Sequence, residues 1–415
     1  MKKLLLLFLL LAAMTATAAV EPTYFDAGGL KYQYFDGVNY YIGGGFQLGG
    51  PTIPKIGDVC IVAANPDYTG TDLVIPETVP YGEDGHQIKV VGIAPEAFKG
   101  NQTITSVTFP NFFPETSSYL RYYNGATGKK EDVMGKNMFE GCSNLRKIVL
   151  SEGTEYVKFT EPPFKGCPIA EVDIPQTLTK LDNLLANSAV ETIDIPDWVT
   201  EISFRECEQL REVPALPGMT EVPEFCFYGC NSLVNVEVPV NAIKIMRGAF
   251  QLCANLESVV ISDKVETLGQ AAFASCPKLD KVTVGAAVKV MGSSVFQGSD
   301  AITEIEFKPV TAPIFQEVGN PTATAATAHI FDQEVLDNAV ATVPDGSIPS
   351  YRSQGWFSFA HAQDATTGVG DITVGINDVP VRYFNLQGIE VDADALVPGI
   401  YIKNQGNSTT KIAIR

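Results

Sequence analysis

A phenylalanine that returns every 23 residues limits the fold of this 415-residue chain more than any other feature. Five copies follow one another without a change of interval, at Phe204, Phe227, Phe250, Phe273 and Phe296. The third residue after each phenylalanine is small, namely Cys207, Cys230, Cys253, Cys276 and Ser299. A constant interval of this length is typical of a solenoid, in which each turn buries its apolar face only against the neighbouring turns. The interval therefore predicts internal ladders of stacked phenylalanine and small side chains.

Each turn of the repeat contains one clear strand pattern. After Phe227, the apolar residues Val236 and Val238 alternate with Asn235 and Glu237. Successive side chains of a strand point to opposite faces. The valines are therefore predicted to face the interior, and Asn235 and Glu237 to face solvent.

Less regular copies come before the five. They carry Phe98, Phe139, Phe164 and Leu185 at the ladder position, which gives nine turns in all. The turn with Leu185 and the turn interrupted by Pro214 are predicted to be the least regular. We predict a solenoid over residues 76–310, mostly β with short turns and helical segments. A β-rich cap at 20–75 and a second cap at 311–360 are predicted to close its two ends, because an open end would expose apolar surface.

The repeats resemble the BspA-like class of leucine-rich repeat. The copy from Phe227 to Pro239 reads FYGCNSLVNVEVP, and the copies that begin at Phe139 and Phe273 match the same pattern. The resemblance implies a leucine-rich repeat solenoid. It also implies a protein of the cell surface, since BspA-like relatives are associated with adhesion to host matrix proteins and with binding of other bacteria.

Both ends of the chain indicate export. Residues 1–19 combine two lysines, an apolar run and small residues before a predicted cleavage site, which is typical of a secretory signal peptide. Residues 361–375 are predicted to be a linker. The tail at 376–415 resembles the small β-sandwich sorting domains of type IX secretion, which implies outer-membrane export and surface attachment. A structural β-module without a sorting role is the alternative.

Charge and cysteine usage limit the partners. The net charge of −19 becomes −21 once Lys2 and Lys3 leave with the signal peptide, which argues against nucleic acid and anionic membranes as ligands. Six of the eight cysteines occupy one repeat position and are predicted to be buried free thiols that pack as small apolar groups. Because no Cys-x-x-Cys pair occurs, a zinc site is not expected, and no other metal or cofactor is expected.

Catalytic patterns are absent from the sequence. The three histidines, His86, His329 and His361, lie far apart and are predicted to be surface or turn residues. No phosphate loop, serine elbow or zinc-protease motif occurs. A hydrolase that uses a carboxylate pair remains an alternative, but the composition favours a non-enzymatic protein.

Two surfaces are candidates for binding. The first is an acidic centre on the outward strand positions, which could take a basic protein segment or simply keep the solenoid soluble: Glu171, Asp173, Asp194, Glu212, Asn235 and Glu237. The second is an insertion at 111–134, which either binds a ligand or folds back on the N-terminal cap. Its aromatic residues are Phe112, Phe113, Tyr119, Tyr122 and Tyr123. The sequence thus favours a secreted or cell-surface adhesion scaffold for a host or bacterial surface protein. A glycan-binding protein that uses the aromatic insertion is the alternative.

Overall fold

The computed structural model describes most of the chain between residues 23 and 414. The described ranges are 23–35, 40–42, 59–111, 120–124, 129–132, 136–154, 157–159, 161–316, 329–353, 356, 359–365, 370–372, 382–384, 390–391, 399–405 and 408–414. The predicted signal peptide lies outside these residues, as do Phe112, Phe113 and Tyr119.

The N-terminal part of the chain is rich in strands, as predicted. Its strands are β1 (Thr23–Ala27), β2 (Leu30–Phe35), β3 (Tyr40–Ile42), β4 (Val59–Val62), β5 (Asp72–Val74), β6 (Thr78–Tyr81) and β7 (His86–Ile93). Five of them form one mixed sheet in the order β1-β2-β4-β7-β6. Leu30 and Tyr32 face the interior at 4% and 1% exposure, so this sheet closes the first turn of the repeat.

Two rows of parallel strands run along the solenoid, because most turns contribute one strand to each row, and both rows are divided near residues 185–220. The strands from Ser106 onward are β8 (Ser106–Phe109), β9 (Leu120–Asn124), β10 (Lys129–Asp132), β11 (Lys147–Leu150), β12 (Val157–Lys158), β13 (Glu171–Asp173), β14 (Lys180–Asp182), β15 (Glu201–Ile202), β16 (Glu221–Val222), β17 (Asn235–Glu237), β18 (Lys244–Ile245), β19 (Ser258–Val260), β20 (Thr267–Leu268), β21 (Lys281–Val284), β22 (Val290–Gly292), β23 (Glu304–Phe307) and β24 (Ile314–Gln316). The first strand of a turn has one face towards solvent, and these outward positions together form the surface that we call the strand face. The second strand of a turn belongs to the other row, which we call the second sheet. Asn235, Ser258 and Lys281 are register partners, which confirms the 23-residue solenoid.

Parallel pairing continues beyond residue 310. The elements there are α1 (Gln333–Asn338), β25 (Val340–Val343), α2 (Ile348–Ser353), β26 (His361–Asp364) and β27 (Gly370–Ile372). Strand β25 pairs in parallel with β23, and β26 pairs in parallel with β25. The indole Nε1 of Trp356 donates to the carbonyl of Pro313 at 2.9 Å, and its ring lies 5.1 Å from that of Phe307. The chain after the last regular repeat therefore packs on the end of the core.

A separate antiparallel sheet forms at the C-terminus. Its strands are β28 (Arg382–Phe384), β29 (Glu390–Val391), β30 (Gly399–Gln405) and β31 (Ser408–Ile414), in the order β29-β28-β30-β31. This sheet agrees with the β-rich tail predicted at 376–415.

The phenylalanine ladder is present as predicted. Neighbouring rings from Phe204 to Phe296 lie 4.9 to 5.6 Å apart, with interplanar angles of 13° or less. All five side chains are fully buried. A sixth ring, that of Phe331, extends this stack at 5.2 Å from Phe296. A shorter stack joins Phe98, Phe139 and Phe164.

The small-residue position is also a hydrogen-bond donor position. The Sγ of Cys230 donates to the carbonyl of Phe204 at 3.1 Å, and the Sγ of Cys253 donates to the carbonyl of Phe227 at 3.2 Å. The hydroxyl of Ser299 does the same to the carbonyl of Phe273 at 3.0 Å. All eight cysteines are free and buried, as predicted for the six of the ladder. The position therefore requires a donor as well as a small volume.

The phenylalanine ladder is interrupted at one place, which we call the seam (residues 185–220). Leu185 separates the stack that ends at Phe164 from the stack that begins at Phe204. The strand face has no strand between β13 and β17, and the second sheet stops at β15 and resumes at β16. Hydrogen bonds beside the phenylalanines continue across the seam, such as Asn187 N to Arg205 O at 2.7 Å. Neither sheet pairs the turn of Leu185 with the turn of Phe204, so these two turns are joined by single backbone hydrogen bonds, including Arg211 N to Glu191 O at 3.0 Å.

Burial of the ladder thiols predicts an alkaline loss of stability. Burial raises the pKa of Cys207 from 9.0 to about 12. The unfolded chain therefore releases this proton first, so the contribution of Cys207 is complete below pH 9 and falls as the pH rises towards 12. Urea unfolding at pH 8 to 11 should show that, above pH 9, a Cys207→Ser variant loses less stability than the parent, by about 1.4 kcal/mol per pH unit.

Serine is the matched replacement, because Ser299 occupies the same position in another turn. Parallel pH curves for the parent and Cys207→Ser would contradict the burial of a protonated thiol at this position.

Candidate binding surface

The outward positions of the strand face carry the predicted acidic centre. Glu171 and Asp173 flank the buried Val172 in β13, and Asn235 and Glu237 flank the buried Val236 in β17. All four polar residues are exposed, as are Asp194 and Glu212. The predicted outward positions of these six residues are thus observed.

The acidic centre does not follow one continuous sheet. Strands β13 and β17 belong to different sheets, and Asp194 and Glu212 lie on the irregular turns of the seam between them. Pro214, which the repeat pattern places at an outward position like that of Glu237, is buried instead. Proline has no N–H to donate to a strand ladder, so this turn leaves strand geometry and its side chains rotate relative to the pattern.

A lysine neutralises one end of the centre. The Nζ of Lys147 lies 2.5 Å from Glu171 Oε1 and 2.8 Å from Asp173 Oδ2, because β11 and β13 are register neighbours. The bonds from Asp173 and then Glu171 raise the pKa of Lys147, so the lysine is charged at neutral pH. The sequence contains the signal for this contact, since Lys147 stands one repeat before Glu171. The prediction of an acidic centre considered only the carboxylates.

Three carboxylates of the centre have no cation beside them. Among the described residues, no lysine, arginine or histidine lies within ion-pair distance of Asp194, Glu212 or Glu237. The arginine next to Glu212, Arg211, pairs with Glu191 at 2.9 Å. We call the three residues the seam carboxylates. They stand on successive turns, whose spacing of about 5 Å is that of the stacked phenylalanine rings, and they concentrate unpaired negative charge on the two turns of the seam and on β17, the first strand of the strand face after it.

The aromatic insertion is joined to the N-terminal segment. Strand β9 pairs with β3, where Tyr122 is the register partner of Tyr40, and β10 pairs with the other edge of β9. This pairing agrees with the alternative in which the insertion folds back on the N-terminal cap. The orientations of Tyr122 and Tyr123 are not described, and Phe112, Phe113 and Tyr119 lie outside the described residues. Sugar binding by these aromatics stays a prediction.

The three histidines have the surface positions predicted for them. His86, His329 and His361 are exposed and distant in the chain, as predicted. Within the described ranges, none of the helices has the length and apolarity needed to cross a bilayer.

Comparison with solved structures gives distant similarities. A leucine-rich cell surface protein from Faecalibacterium prausnitzii A2-165 is 15% identical over 84% of this chain and 96% of its own, with a TM-score of 0.27. The pneumococcal vaccine antigen PcpA is 13% identical over 80% of this chain and 96% of its own, with a TM-score of 0.36. A leucine-rich repeat protein from Bacteroides ovatus ATCC 8483 is 16% identical over 74% of this chain and 95% of its own, with a TM-score of 0.27.

Comparison of sequences gives a family match. No curated protein sequence matches the chain. The family model described as "BspA type Leucine rich repeat region" matches six copies, over residues 86–185 and 182–303. These residues make up more than half of the chain.

Proposed function

The chain belongs to the BspA-type leucine-rich repeat family, and we propose that it is a non-enzymatic scaffold that binds a protein partner through its strand face at the cell surface or after secretion. The signal-peptide pattern of residues 1–19 supports export. The resemblance of residues 376–415 to type IX sorting domains supports delivery to the outer surface. We extend the proposal to adhesion, with a host matrix protein or a surface protein of another bacterium as the partner.

The observation that carries the proposal is the set of seam carboxylates. Asp194, Glu212 and Glu237 are exposed, stand on adjacent turns and have no neutralising neighbour in the described part of the chain. A solenoid that needed charge only for solubility could pair these residues as it pairs Glu171 and Asp173 with Lys147. Unpaired charges gathered on one face favour association with a surface of opposite sign.

A basic extended segment suits this surface. Side chains on one face of such a segment are about 6.7 Å apart, which lets the long side chains of lysine and arginine reach carboxylates on adjacent turns about 5 Å apart. The same charges disfavour nucleic acid and anionic membranes, whose phosphates would be repelled. The proposal therefore commits to lysine- or arginine-rich stretches of a protein partner.

The test is a binding screen of the mature chain against immobilised host matrix proteins and bacterial surface proteins by surface plasmon resonance. We expect saturable binding that weakens as salt is added, because exposed charges are screened. A triple variant, Asp194→Asn, Glu212→Gln and Glu237→Gln, should bind at least about tenfold more weakly, a change of about 1.4 kcal/mol.

The matched control removes three carboxylates elsewhere. Glu221, Asp263 and Glu266 lie near or on the second sheet, and their replacement by Gln, Asn and Gln changes the net charge by the same amount. Equal loss of binding in both triple variants would contradict a site at the seam and would indicate an effect of overall charge only.

A further inference from the structure

The turns that carry the ladder phenylalanines present a second kind of surface. Their outer residues include a group that we call the turn-face cluster: Arg205, Phe225, Tyr228, Arg247 and Leu252. These residues belong to three successive turns, those of Phe204, Phe227 and Phe250. None of these residues belongs to a strand, so none stands at an outward position of the strand face.

Two guanidinium groups are stacked on one aromatic ring in this cluster. The Cζ of Arg247 lies 5.1 Å from the ring centre of Phe225, and the Cζ of Arg205 lies 6.0 Å from it. Arg205 comes from the turn before Phe225 and Arg247 from the turn after it. Arg205 also lies 5.4 Å from the ring centre of Tyr228, which meets Phe225 edge-on. Stacking of this kind holds exposed arginines in a defined position.

One carboxylate orients each arginine further. The Nη2 of Arg247 lies 2.9 Å from Glu224, and the Nε of Arg205 lies 3.2 Å from Glu206. A guanidinium has five N–H donors, so each arginine keeps several donors free. Both side chains are about half exposed, at 52% and 51%. The arrangement therefore presents two ordered cations in an otherwise acidic protein.

Backbone conformation gives an independent observation. Phe225 and Leu252 have φ values of 57° and 62°, in the left-handed region that bulky residues disfavour. The ring of Phe225 has a packing role there, since it covers Gly248. Leu252 stays 41% exposed. Other turns hold Gly100, Gly141, Gly166, Gly229 and Gly298 at the same position, or the polar residues Asn187, Glu206 and Ser275, so Leu252 is the apolar side chain among them. An exposed leucine kept where glycine suits the backbone points to contact with another molecule.

We propose that the turn-face cluster docks a carboxylate-bearing, apolar segment of a second protein partner. The free donors of Arg205 and Arg247 bind its carboxylates, because arginine pairs with carboxylates in bidentate geometry. Leu252 and the edge of Tyr228 receive its apolar side chain, a combination typical of interface hot spots. A sugar ring is disfavoured, because the guanidinium groups already cover the aromatic faces on which sugars stack.

The experiment selects ligands from a phage-displayed library of random peptides on the immobilised mature chain. We expect enriched peptides to combine Asp or Glu with Leu, Phe or Tyr. Their synthetic versions should bind about tenfold more weakly to Arg205→Gln, to Arg247→Gln and to Leu252→Asn. The asparagine variant keeps the fold, because Asn187 occupies the same left-handed position in another turn.

The matched control is Lys165→Gln. Lys165 follows Phe164 as Arg205 follows Phe204, and it is 53% exposed, but no ring contact of it is found among the described residues. Peptide binding should survive this change and also the triple variant of the seam carboxylates, which separates the cluster from the strand-face site. The proposal is overturned if no acidic peptides are enriched, if the arginine variants bind them as the parent does, or if heparin binds the cluster and the peptides do not.

Discussion

Replacing Phe250 by alanine is expected to lower the free energy of unfolding by about 3–5 kcal/mol. The ring is fully buried and lies between the rings of Phe227 and Phe273, at 4.9 and 5.1 Å. Its removal leaves a cavity that two rigid neighbouring turns cannot close, because their backbones are fixed by hydrogen bonds on both sides of the ladder. Urea unfolding followed by circular dichroism measures the loss.

The matched control for this change is Phe250→Leu. Leu185 occupies the ladder position of one natural turn and is fully buried there, so leucine is compatible with the geometry of the turn. The leucine variant should therefore lose clearly less stability than the alanine variant. If Phe250→Ala unfolds at the same urea concentration as the parent, the phenylalanine stack does not stabilise the solenoid.

Gly285→Ala is expected to be nearly as damaging, with a loss of about 3 kcal/mol, at the upper end of the range for over-packing. A Cβ at this position would lie 2.5 Å from the carbonyl carbon of Ser262 and 2.6 Å from the carbonyl oxygen of Ile261, and closer still to the oxygen of Ser262. These atoms are backbone of the preceding turn, so no side chain can move aside. The change should shift the midpoint of urea unfolding strongly.

Gly100→Ala provides the comparison. Gly100 has a φ of 72°, but a Cβ there would meet nothing within 4 Å. Its replacement by alanine therefore lowers the free energy of unfolding only by the energy needed to hold alanine in the left-handed conformation, about 1–2 kcal/mol. Equal losses for the two variants would show that close approach of neighbouring turns is not what requires glycine at 285.

The ladder could be predicted from the sequence because its signal is an interval. The phenylalanines from Phe204 to Phe296 return every 23 residues, and parallel strands in register follow from that constancy. Phe331 was missed because it stands 35 residues after Phe296, so the interval no longer points to it although its ring continues the stack. A contact made across a longer connection leaves no period in the sequence.

The candidate sites could be predicted only in part. Outward carboxylates follow from the alternation of a strand, so Glu171 and Glu237 were found. The pairing of Lys147 with Glu171 and Asp173 depends on side-chain geometry between neighbouring strands, and the burial of Pro214 depends on where strand geometry ends. The turn-face cluster was missed altogether, because Arg205, Phe225 and Arg247 belong to three different turns and do not repeat.

The seam also has a mechanical consequence. A solenoid transmits a pull along its axis from turn to turn, through the contacts between neighbours. At the junction between the turns of Leu185 and Phe204 the phenylalanine stack is interrupted and neither parallel sheet has a strand pair, so single hydrogen bonds such as Asn187 N to Arg205 O and Arg211 N to Glu191 O carry the load there. When a molecule is stretched between two surfaces, the contacts at this joint therefore separate first. The segments on the two sides of the joint stay stiff.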